Sequence, residues 1–353
     1  MHVERAAILC DGYFGQNTGK TANGLVRYSK RYEIVAVIDR TKAGRDAGEV
    51  LDGRANGIPI VRDLDEAVGK TRPQTVIVGV ATVGGYIPKE FRPVLRSAIE
   101  RGLDVVAGLH EYLQDDPEFA KLAAEHGVRL VDVRRPRPIR EAQQFSDRSR
   151  KLPCLRIPVL GTDGAIGKRT TALLLTDALT AAGIPTTFVA TGQTGLLQGS
   201  TYGVPLDSIK GDFMVGELEA EVVRAYEETK PKAIIVEGQG SISHPAYVCG
   251  TRAIIMASFP SAILMMHAPA RRTRNFRRDV VAWPMPTVEE EIEWLEFFSR
   301  GAKVFGLAIN HENMTREQVE TTVREWEAKY GMPAADPLWH GCAKFVERIK
   351  GML

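Results

Sequence analysis

The chain has 353 residues, enough for about two domains and at least one full hydrophobic core. Hydrophobic residues make up 44% and charged residues 25% of it, close to the averages of globular proteins, which argues against a disordered or fibrous chain. The net charge of +2 gives no general attraction to nucleic acid or anionic membranes. We therefore expect neither nucleic acid nor a membrane as partner, and any anion site must be local.

The N-terminus shows no apolar stretch of signal-peptide length, and no apolar run reaches the roughly 18 residues of a spanning helix. We therefore expect a cytoplasmic location. The four cysteines are far apart in the sequence, which fits neither a zinc site nor a disulfide framework. We expect them to be reduced, and we predict no metal site.

In the first half, short apolar runs alternate with amphipathic stretches, which is typical of a parallel sheet covered by helices. The predicted strands are 6–10, 34–38, 75–80, 104–107 and 129–133, and the predicted helices are 21–29, 64–68, 91–101 and 117–126. This pattern predicts an α/β, Rossmann-like domain over residues 1–140. The glycines after the first strand do not have GxGxxG spacing, so they give little support to a dinucleotide site at Asp39. We expect this half to contribute to a cleft or to assembly into a homo-oligomer.

The stretch RRPRP at 134–138 opens a polar, proline-spaced connector, which places a domain boundary near residue 140. The alternation then resumes. Strands are predicted at 154–160, 186–190, 233–236, 262–267 and 304–309, and helices at 168–182, 217–229, 288–300 and 315–330. Residues 141–353 are therefore predicted to form a second α/β domain with a mostly parallel sheet.

The strongest motif is a glycine-rich loop between the first strand and first helix of this second domain. A glycine-rich surface turn is the alternative, but strand, glycines, lysine and helix together indicate a phosphate site, where backbone N–H groups and a lysine face the anion. The loop resembles the GTDxxxGK loop of dethiobiotin synthetase and related P-loop NTPase-like proteins rather than the ordinary Walker A spacing. Its predicted cofactor-binding residues are Gly161, Thr162, Asp163, Gly164, Ala165, Ile166, Gly167, Lys168, Arg169 and Thr170.

Two further features support this resemblance. The strand at 233–236 leads into Glu237-Gly-Gln-Gly, similar to the acidic turn of the same group, where the carboxylate lies near the phosphates. The strand at 304–309 leads into Asn310, which resembles the base-contacting asparagine of that group or is a plain turn residue.

One position departs from the loops that cleave nucleotides. Those loops have Ser or Thr after the lysine to bind Mg²⁺, whereas this chain has Arg169. An added guanidinium suits a ligand rich in phosphate. Coenzyme A is such a ligand, and ATP with Mg²⁺ is the alternative.

Polar residues cluster after the strands of the second domain. Asp207 and Asp212 are expected in a loop before the helix at 217, where Asp207 is read as a cap and Asp212 as a site residue. Donors and acid or base groups follow Glu237, among them Gln239, Ser241 and His244, the last of which could also belong to a surface turn. The basic residues expected to bind substrate carboxylates or phosphates, or to form a solvated or RNA-binding face, are Arg271, Arg272, Arg274, Arg277 and Arg278.

Taken with the N-terminal segments DGYFGQNTGKT and VGVATVGGYIP and the later EGQGSISHPA and HAPARR, the chain resembles the two-domain P-loop family that includes D-glutamate N-acetyltransferase. The resemblance implies transfer of an acetyl group from acetyl-CoA to the amine of an acidic amino acid, D-glutamate. Under that activity Glu237, Asp212 and His244 are the candidate bases, and Arg271 and Arg272, with Gln239 and Ser241, are candidate substrate ligands. The alternatives are an ATP- and Mg²⁺-dependent ligase or kinase of the dethiobiotin synthetase type and a coenzyme sensor without turnover.

Overall fold

The computed structural model describes residues 3–274 and 282–353, which divide into two compact units. One unit comprises residues 1–136 and 193–200, and the other comprises 137–192 and 201–353. The segment 193–200 therefore belongs to the first unit, although its position in the sequence lies within the second predicted domain.

The first unit is a six-stranded parallel sheet with helices between the strands, in the strand order β3-β2-β1-β4-β5-β6. This is the strand order of dinucleotide-binding folds, so the Rossmann-like prediction is confirmed. The strands are β1 (Glu4–Leu9), β2 (Tyr32–Ile38), β3 (Ile60–Val61), β4 (Thr75–Val78), β5 (Asp104–Ala107) and β6 (Leu130–Asp132). The helices are α1 (Lys20–Tyr28), α2 (Ala47–Asp52), α3 (Leu64–Thr71), α4 (Arg92–Glu100) and α5 (Pro117–His126).

The side chain of Asp39, at the end of β2, is turned into its own loop. Its carboxylate is buried and accepts hydrogen bonds from the backbone N–H of Phe14 at 3.2 Å and of Thr41 at 2.9 Å. It also accepts a hydrogen bond from the hydroxyl of Thr41 at 2.6 Å. Asp39 therefore connects the loop after β1, which contains Phe14, to the loop after β2, which contains Thr41.

The segment 193–200 packs within the first unit against Gly108, where there is no room for a side chain. A Cβ on Gly108, directly after β5, would lie 1.6 Å from Oε1 of Gln193. The amide of Gln193 donates to the hydroxyl of Thr21 at 3.2 Å, and that of Gln198 donates to the carbonyl of Gly24 at 2.8 Å. Side-chain amides thus attach the segment to α1.

The second unit is a seven-stranded sheet in the order β13-β12-β11-β7-β10-β8-β9, in which all pairings are parallel. Its strands are β7 (Leu155–Gly161), β8 (Thr186–Ala190), β9 (Tyr202–Gly203), β10 (Ala233–Glu237), β11 (Ala262–His267), β12 (Lys303–Ile309) and β13 (Ala334–Ala335). Its helices are α6 (Lys168–Ala181), α8 (Gly211–Thr229), α9 (Cys249–Ser258), α10 (Val288–Phe298), α11 (Arg316–Tyr330) and α12 (Ala343–Lys350), while α7 (Gln193–Leu197) lies in the first unit.

Helices cover both faces of this sheet, which explains why its strands read as continuous apolar runs. Leu175 of α6 and Phe345 of α12 pack in one buried layer. Leu218 of α8, Ile254 of α9 and Leu295 of α10 pack in the other. The α/β class predicted from the sequence is therefore confirmed for both halves of the chain.

The connector after residue 136 is bound along α8. The carboxylate of Glu217 accepts from the backbone N–H of Gln143 at 2.9 Å, and that of Glu219 accepts from the N–H of Ser146 at 2.6 Å. A Cβ at Gly216 would lie 2.3 Å from the carbonyl oxygen of Gln143, so the crossing requires glycine. The proline-spaced connector predicted from the sequence is therefore docked on a helix.

Candidate functional site

The phosphate-binding loop joins the end of β7, in the middle of the sheet, to the start of α6. Ala165 (φ 52°) and Gly167 (φ 93°) have left-handed backbone conformations, and Gly167 is the N-cap of α6. Alternating right- and left-handed residues turn successive N–H groups toward one concave side, which is the geometry of an anion-binding nest. The loop predicted from the sequence therefore lies at the helix N-terminus that such a site requires.

Lys168 is the buried cation of this loop, with only 5% of the residue exposed. Its Nζ donates to the carbonyl oxygen of Asp163. Burial lowers the pKa of Lys168 to about 8, although the nearby carboxylates of Asp163 and Glu291 act in the opposite direction. A phosphate placed beside this amine would restore its charge, so the group is suited to binding anions.

Two side chains from neighbouring strand ends hold the outer side of the loop. Nη1 of Arg271 donates to Oδ2 of Asp163 at 2.8 Å and to the carbonyl of Gly164 at 2.9 Å. Nδ2 of Asn310 donates to the carbonyl of Ile166 at 2.9 Å. The asparagine predicted to contact a base therefore touches the loop itself, and the guanidinium of Arg271 faces the loop as well.

Glu237 ends β10, and its buried carboxylate faces the end of β8. Oε2 accepts hydrogen bonds from the backbone N–H of Thr191 at 2.9 Å and of Gly192 at 3.1 Å. Burial raises the pKa of Glu237, and the positive charge of Arg169 opposes that rise. The amide of Gln239 donates to the carbonyl of Thr191, so both predicted residues are bound to the same turn.

His244 is a buried imidazole whose hydrogen bonds fix its ring orientation. Its Nδ1 accepts from the backbone N–H of Ala246 at 3.0 Å and of Tyr247 at 2.9 Å. In the neutral ring the proton is then on Nε2, which lies 3.6 Å from Oδ1 of Asp163. Burial lowers the pKa of His244, with the charge of Arg274 acting in the same direction. The neutral ring of His244 therefore presents a hydrogen-bond donor at Nε2.

The basic cluster predicted around residue 271 is divided by the fold. Arg274 is only 5% exposed and donates to the hydroxyl of Ser241 at 2.9 Å and to that of Ser243 at 2.5 Å. Arg272 is exposed, whereas Arg277 and Arg278 lie outside the described residues. Of the arginines that the structure describes here, Arg272 is the one whose side chain faces solvent.

A buried acid that the sequence analysis missed completes this network. Glu291, in the first turn of α10, accepts from the hydroxyl of Ser243 and from the backbone N–H of Ile242 at 3.2 Å. Burial raises its pKa. The only sign of Glu291 in the sequence is a charged residue at an inward-facing helix position. The other glutamates of α10 make the whole stretch polar, so that this position does not stand out.

The two aspartates predicted before the helix at 217 lie in different settings. Helix α8 begins at Gly211, six residues earlier than predicted, so the expected loop position of Asp212 is wrong. Asp212 is exposed in the first turn of α8, where a carboxylate favours the helix dipole. The charge of Asp207 reaches Glu237 and raises its pKa further.

Two histidines that sequence reasoning passed over also lie at strand ends. Nδ1 of His267 is within 2.9 Å of the hydroxyl of Thr162 in the loop, and burial lowers its pKa to about 4. Nδ1 of His311 lies 2.6 Å from Oδ2 of buried Asp336. The available signal was a histidine at the end of an apolar strand, since His267 is the last residue of β11 and His311 comes two residues after β12.

Within residues 3–274 and 282–353, no three His, Cys, Asp or Glu side chains are grouped in a way that could hold a metal ion. Over the same ranges, no helix combines the length and apolar character needed to cross a membrane.

Comparisons with known proteins agree with a Rossmann-like domain followed by a P-loop domain. A family described as a P-loop "domain of unknown function (DUF1611_C)" matches residues 143–346, and its Rossmann-like partner, DUF1611_N, matches 40–136. A structure of a DUF1611 family protein from Anabaena variabilis superimposes with a TM-score of 0.89 and 32% identity, over 99% of both chains.

Three curated relatives differ in how much they match. The D-glutamate N-acetyltransferase of Tritonibacter scottomollicae is 34% identical over 78% of this chain and 81% of its own. The protein of the same name from Pseudoalteromonas sp. is 30% identical over 83% and 88%. The UDP-N-acetylmuramoylalanine–D-glutamate ligase of Streptococcus pneumoniae is 26% identical over 44% of this chain and 34% of the ligase. With the P-loop match spanning more than half of its residues and the first two relatives most of its length, the chain belongs to the DUF1611 family.

Proposed function

We propose that this protein transfers the acetyl group of acetyl-CoA to the amine of D-glutamate. The observation that carries the proposal is the likeness to two relatives named D-glutamate N-acetyltransferase, at 34% and 30% identity over 78% and 83% of the chain. The site supports it, because it combines cations for an anionic ligand with a buried carboxylate of raised pKa.

The residues of the loop fit the phosphates of coenzyme A. Lys168 is buried beside the nest, and Arg169 takes the position at which phosphate-cleaving loops supply the Mg²⁺-binding hydroxyl. A guanidinium at that position adds fixed positive charge and donors suited to phosphate oxygens. Lys168, Arg169, Thr170 and the backbone of 164–167 are therefore the proposed ligands of the coenzyme phosphates.

The chemistry requires a base for the substrate amine. The amine nitrogen attacks the thioester carbon, so that a C–N bond forms and the C–S bond breaks. The proton that the amine loses passes to a protein group, which returns it to the leaving thiolate. Glu237 is the proposed proton acceptor, since a carboxylate with a raised pKa holds a proton better than an ordinary one. The two N–H donors at Oε2 fix its orientation and leave Oε1 as the atom for proton transfer.

Other predicted residues take supporting parts in this proposal. His244 offers the N–H at Nε2 as a donor, which is useful toward an oxyanion or a leaving thiolate. The exposed guanidinium of Arg272 is proposed to bind a substrate carboxylate, with Gln239 and Ser241 as further polar ligands. Asp212 becomes the least favoured base, since its carboxylate is exposed in the first turn of α8 whereas that of Glu237 is buried.

The test is the release of thiol from acetyl-CoA in the presence of D-glutamate, measured beside L-glutamate and beside ADP formation from ATP with Mg²⁺. We expect thiol release that depends on the D-amino acid, with N-acetylglutamate formed in equal amount. Thiol release at the same rate without an amino acid would contradict the proposal, as would no release at all.

An ATP-dependent ligase is the second candidate, and one observation favours it. The relative from Streptococcus pneumoniae is named as a D-glutamate ligase, and it matches 44% of this chain at 26% identity. This candidate predicts ADP formation that needs Mg²⁺ and D-glutamate, with no thiol release. Binding of CoA without any turnover would instead indicate a sensor.

A further inference from the structure

The carbonyl groups of the phosphate-binding loop are bound by side chains that come from outside it. Arg271 donates to the carbonyl oxygen of Gly164 at 2.9 Å and to that of Ala165 at 3.4 Å. Asn310 donates to the carbonyl oxygen of Ile166 at 2.9 Å. Three consecutive peptide groups therefore have fixed directions.

The direction of a carbonyl determines the direction of the next amide. In a planar trans peptide, the C=O of one residue and the N–H of the following residue point to opposite sides. Holding the carbonyls of residues 164, 165 and 166 outward therefore turns the N–H groups of Ala165, Ile166 and Gly167 to the other side. This is the concave side on which the nest and the N-terminus of α6 favour an anion.

The same arginine is neutralised by two carboxylates. Its Nη1 lies 2.8 Å from Oδ2 of fully buried Asp163, and its Nη2 lies 2.5 Å from Oε2 of Glu312. The side chain is only 8% exposed. A substrate carboxylate would have to displace one of these partners, and it would gain little from a guanidinium whose charge is already balanced.

The support for the loop extends to Asn310 and Glu312. Oδ1 of Asn310 accepts from the backbone N–H of Glu312 at 2.8 Å, while Nδ2 of the same amide holds Ile166. One turn after β12 thus supplies both a direct ligand of the loop and the second carboxylate for Arg271. The arrangement also holds Ala165, which is not glycine, in a left-handed conformation that costs about 1 kcal/mol or more.

We propose that Arg271 is a positioning residue of the phosphate-binding loop, which with Asn310 directs the loop amides toward the phosphate of the acyl donor, and that it does not bind the amino-acid substrate. The proposal rests on the proposed function for the identity of the two substrates. Under this proposal the two neighbouring arginines have different roles. Arg271 acts on binding of the acyl donor, and Arg272 binds the acyl acceptor, D-glutamate.

The test compares Arg271→Gln and Arg271→Lys with the matched control Arg272→Gln, which removes a guanidinium from the adjacent, exposed position. Dissociation constants of CoA and of ADP are measured by calorimetry, and KM values for acetyl-CoA and D-glutamate by thiol release. We expect both Arg271 variants to weaken CoA binding by about tenfold or more, since even lysine cannot span three loop acceptors. The KM for D-glutamate should stay within about twofold of wild type, and so should CoA binding by Arg272→Gln.

Three results would overturn the proposal. The first is a large rise in the KM for D-glutamate with unchanged CoA binding by a folded Arg271 variant. The second is unchanged binding of both probes, and the third is an equal loss of CoA binding in Arg272→Gln. If Arg271→Gln does not fold, Glu312→Gln removes one partner of Arg271 and should weaken CoA binding in the same direction to a smaller extent; no change in CoA binding would count against the proposal.

The binding measurements separate this proposal from the proposed function. A wild-type protein that binds ADP but neither binds CoA nor releases thiol would contradict the acetyltransferase. The effect of Arg271 on the loop would then be read from ADP binding alone. A wild-type protein that binds neither probe would overturn the phosphate site, and with it the role of Arg271.

Discussion

At the scale of single residues, burial shifts the pKa values of two charged groups of the site, Lys168 in the loop and Glu237 at the end of β10, in opposite directions. It lowers the pKa of Lys168 to about 8 and raises the pKa of Glu237. In both groups the neutral form is favoured because charge is poorly solvated inside the protein. Each group is therefore ready to change its protonation state when a ligand or substrate amine arrives.

Replacing Glu237 by Gln should remove the proposed proton acceptor while preserving the shape of the side chain. We expect kcat to fall by about a hundredfold or more, which is the usual range for loss of general base catalysis. The Kd of CoA, measured by calorimetry, should remain within about threefold of wild type. A comparable loss of CoA affinity would show instead that Glu237 positions the ligand.

The matched control is Asp212→Asn, which neutralises an exposed carboxylate on α8.

The acid limb of the wild-type profile of kcat against pH should lie above the ordinary range of a glutamate, because activity is lost as pH falls through the raised pKa of Glu237. An acid limb that persists unchanged in Glu237→Gln would contradict this assignment.

The lowered pKa of Lys168 predicts that binding of the acyl donor weakens at basic pH. With its pKa lowered to about 8, the free protein loses this charge as pH rises through 8, so CoA binding must take up a proton there. We expect the affinity for CoA to fall by up to about tenfold per pH unit above that point. Phosphate monoesters lose their second proton near pH 6, so the charge of the CoA phosphates is constant in this range.

The measurement is calorimetry from pH 7.5 to 9.5 in buffers of different ionisation enthalpy, which reports proton uptake directly. A variant Lys168→Arg keeps its charge throughout and serves as the control for the pH dependence, whatever its absolute affinity. Equal affinity of wild type across the whole range would refute a role for the Lys168 charge.

At the scale of elements, α8 shows how a helix fixes a connector. Glu219 is fully buried, and it accepts from the N–H of Ser146 at 2.6 Å and from that of Ser149 at 3.2 Å. These bonds satisfy backbone groups that the proline-spaced connector cannot pair in a sheet or a long helix. The connector is therefore part of the second unit.

The variant Glu219→Gln should weaken this docking. An amide places N–H donors where the backbone also presents donors, so we expect a loss of about 2 kcal/mol of stability. Trypsin should then cleave sooner after Arg148, Arg150 or Lys151. The control is Glu227→Gln on the same helix, whose half-exposed ion pair with Arg148 should be worth less than about 1 kcal/mol. Equal proteolysis rates in the two variants would contradict the docking.

Much of the fold could be predicted because long, strongly periodic elements carry their own signal. Strand β5 and helix α5 have the predicted bounds, and α5 has both Asp116 as N-cap and Gly127 after its last turn. The start of α8 was missed because Gly211 is a poor helix residue, and no side chain caps the helix there. Short strands such as β3 and β13 were not predicted, since two residues give no periodicity.

The site was predictable to the extent that it follows one stretch of chain. The loop from Gly161 to Lys168 and Glu237 at the end of a strand could be read from local sequence. The burial of Arg274 against two serines depends on residues that are 31 and 33 positions away in the sequence. Partners at that separation leave no sequence spacing from which the contact could be predicted.

At the scale of the whole molecule, each unit has its own buried core, and the aromatic residues allow one of them to be followed by itself. The four tryptophans are Trp283, Trp294, Trp326 and Trp339, all of which belong to the second unit. Tryptophan fluorescence therefore reports the unfolding of the unit that carries the phosphate-binding loop. Because two units need not unfold together, such a selective probe is required before a free energy of unfolding is defined.

His267 predicts how the stability of that unit depends on pH. Burial, with the charge of Arg271, lowers its pKa in the folded protein to about 4 from 6.5. The unfolded chain therefore binds more protons between these values, so stability is complete above pH 6.5 and is lost as pH falls toward 4. The shift corresponds to about 3 kcal/mol.

Urea unfolding followed by tryptophan fluorescence at pH 7.5, 6.0 and 4.5 checks this expectation. The wild-type free energy of unfolding should fall across the series more steeply than that of His267→Asn. The variant keeps the contribution of His244, whose lowered pKa adds to the fall, and those of Glu237 and Glu291, whose raised pKa values oppose it. Glu289 has its pKa lowered to about 2, so its contribution is lost only at a lower pH and does not confuse the series. An equal fall in the variant and in wild type would show that His267 does not set the acid limit, and that other buried groups of the unit take up the protons.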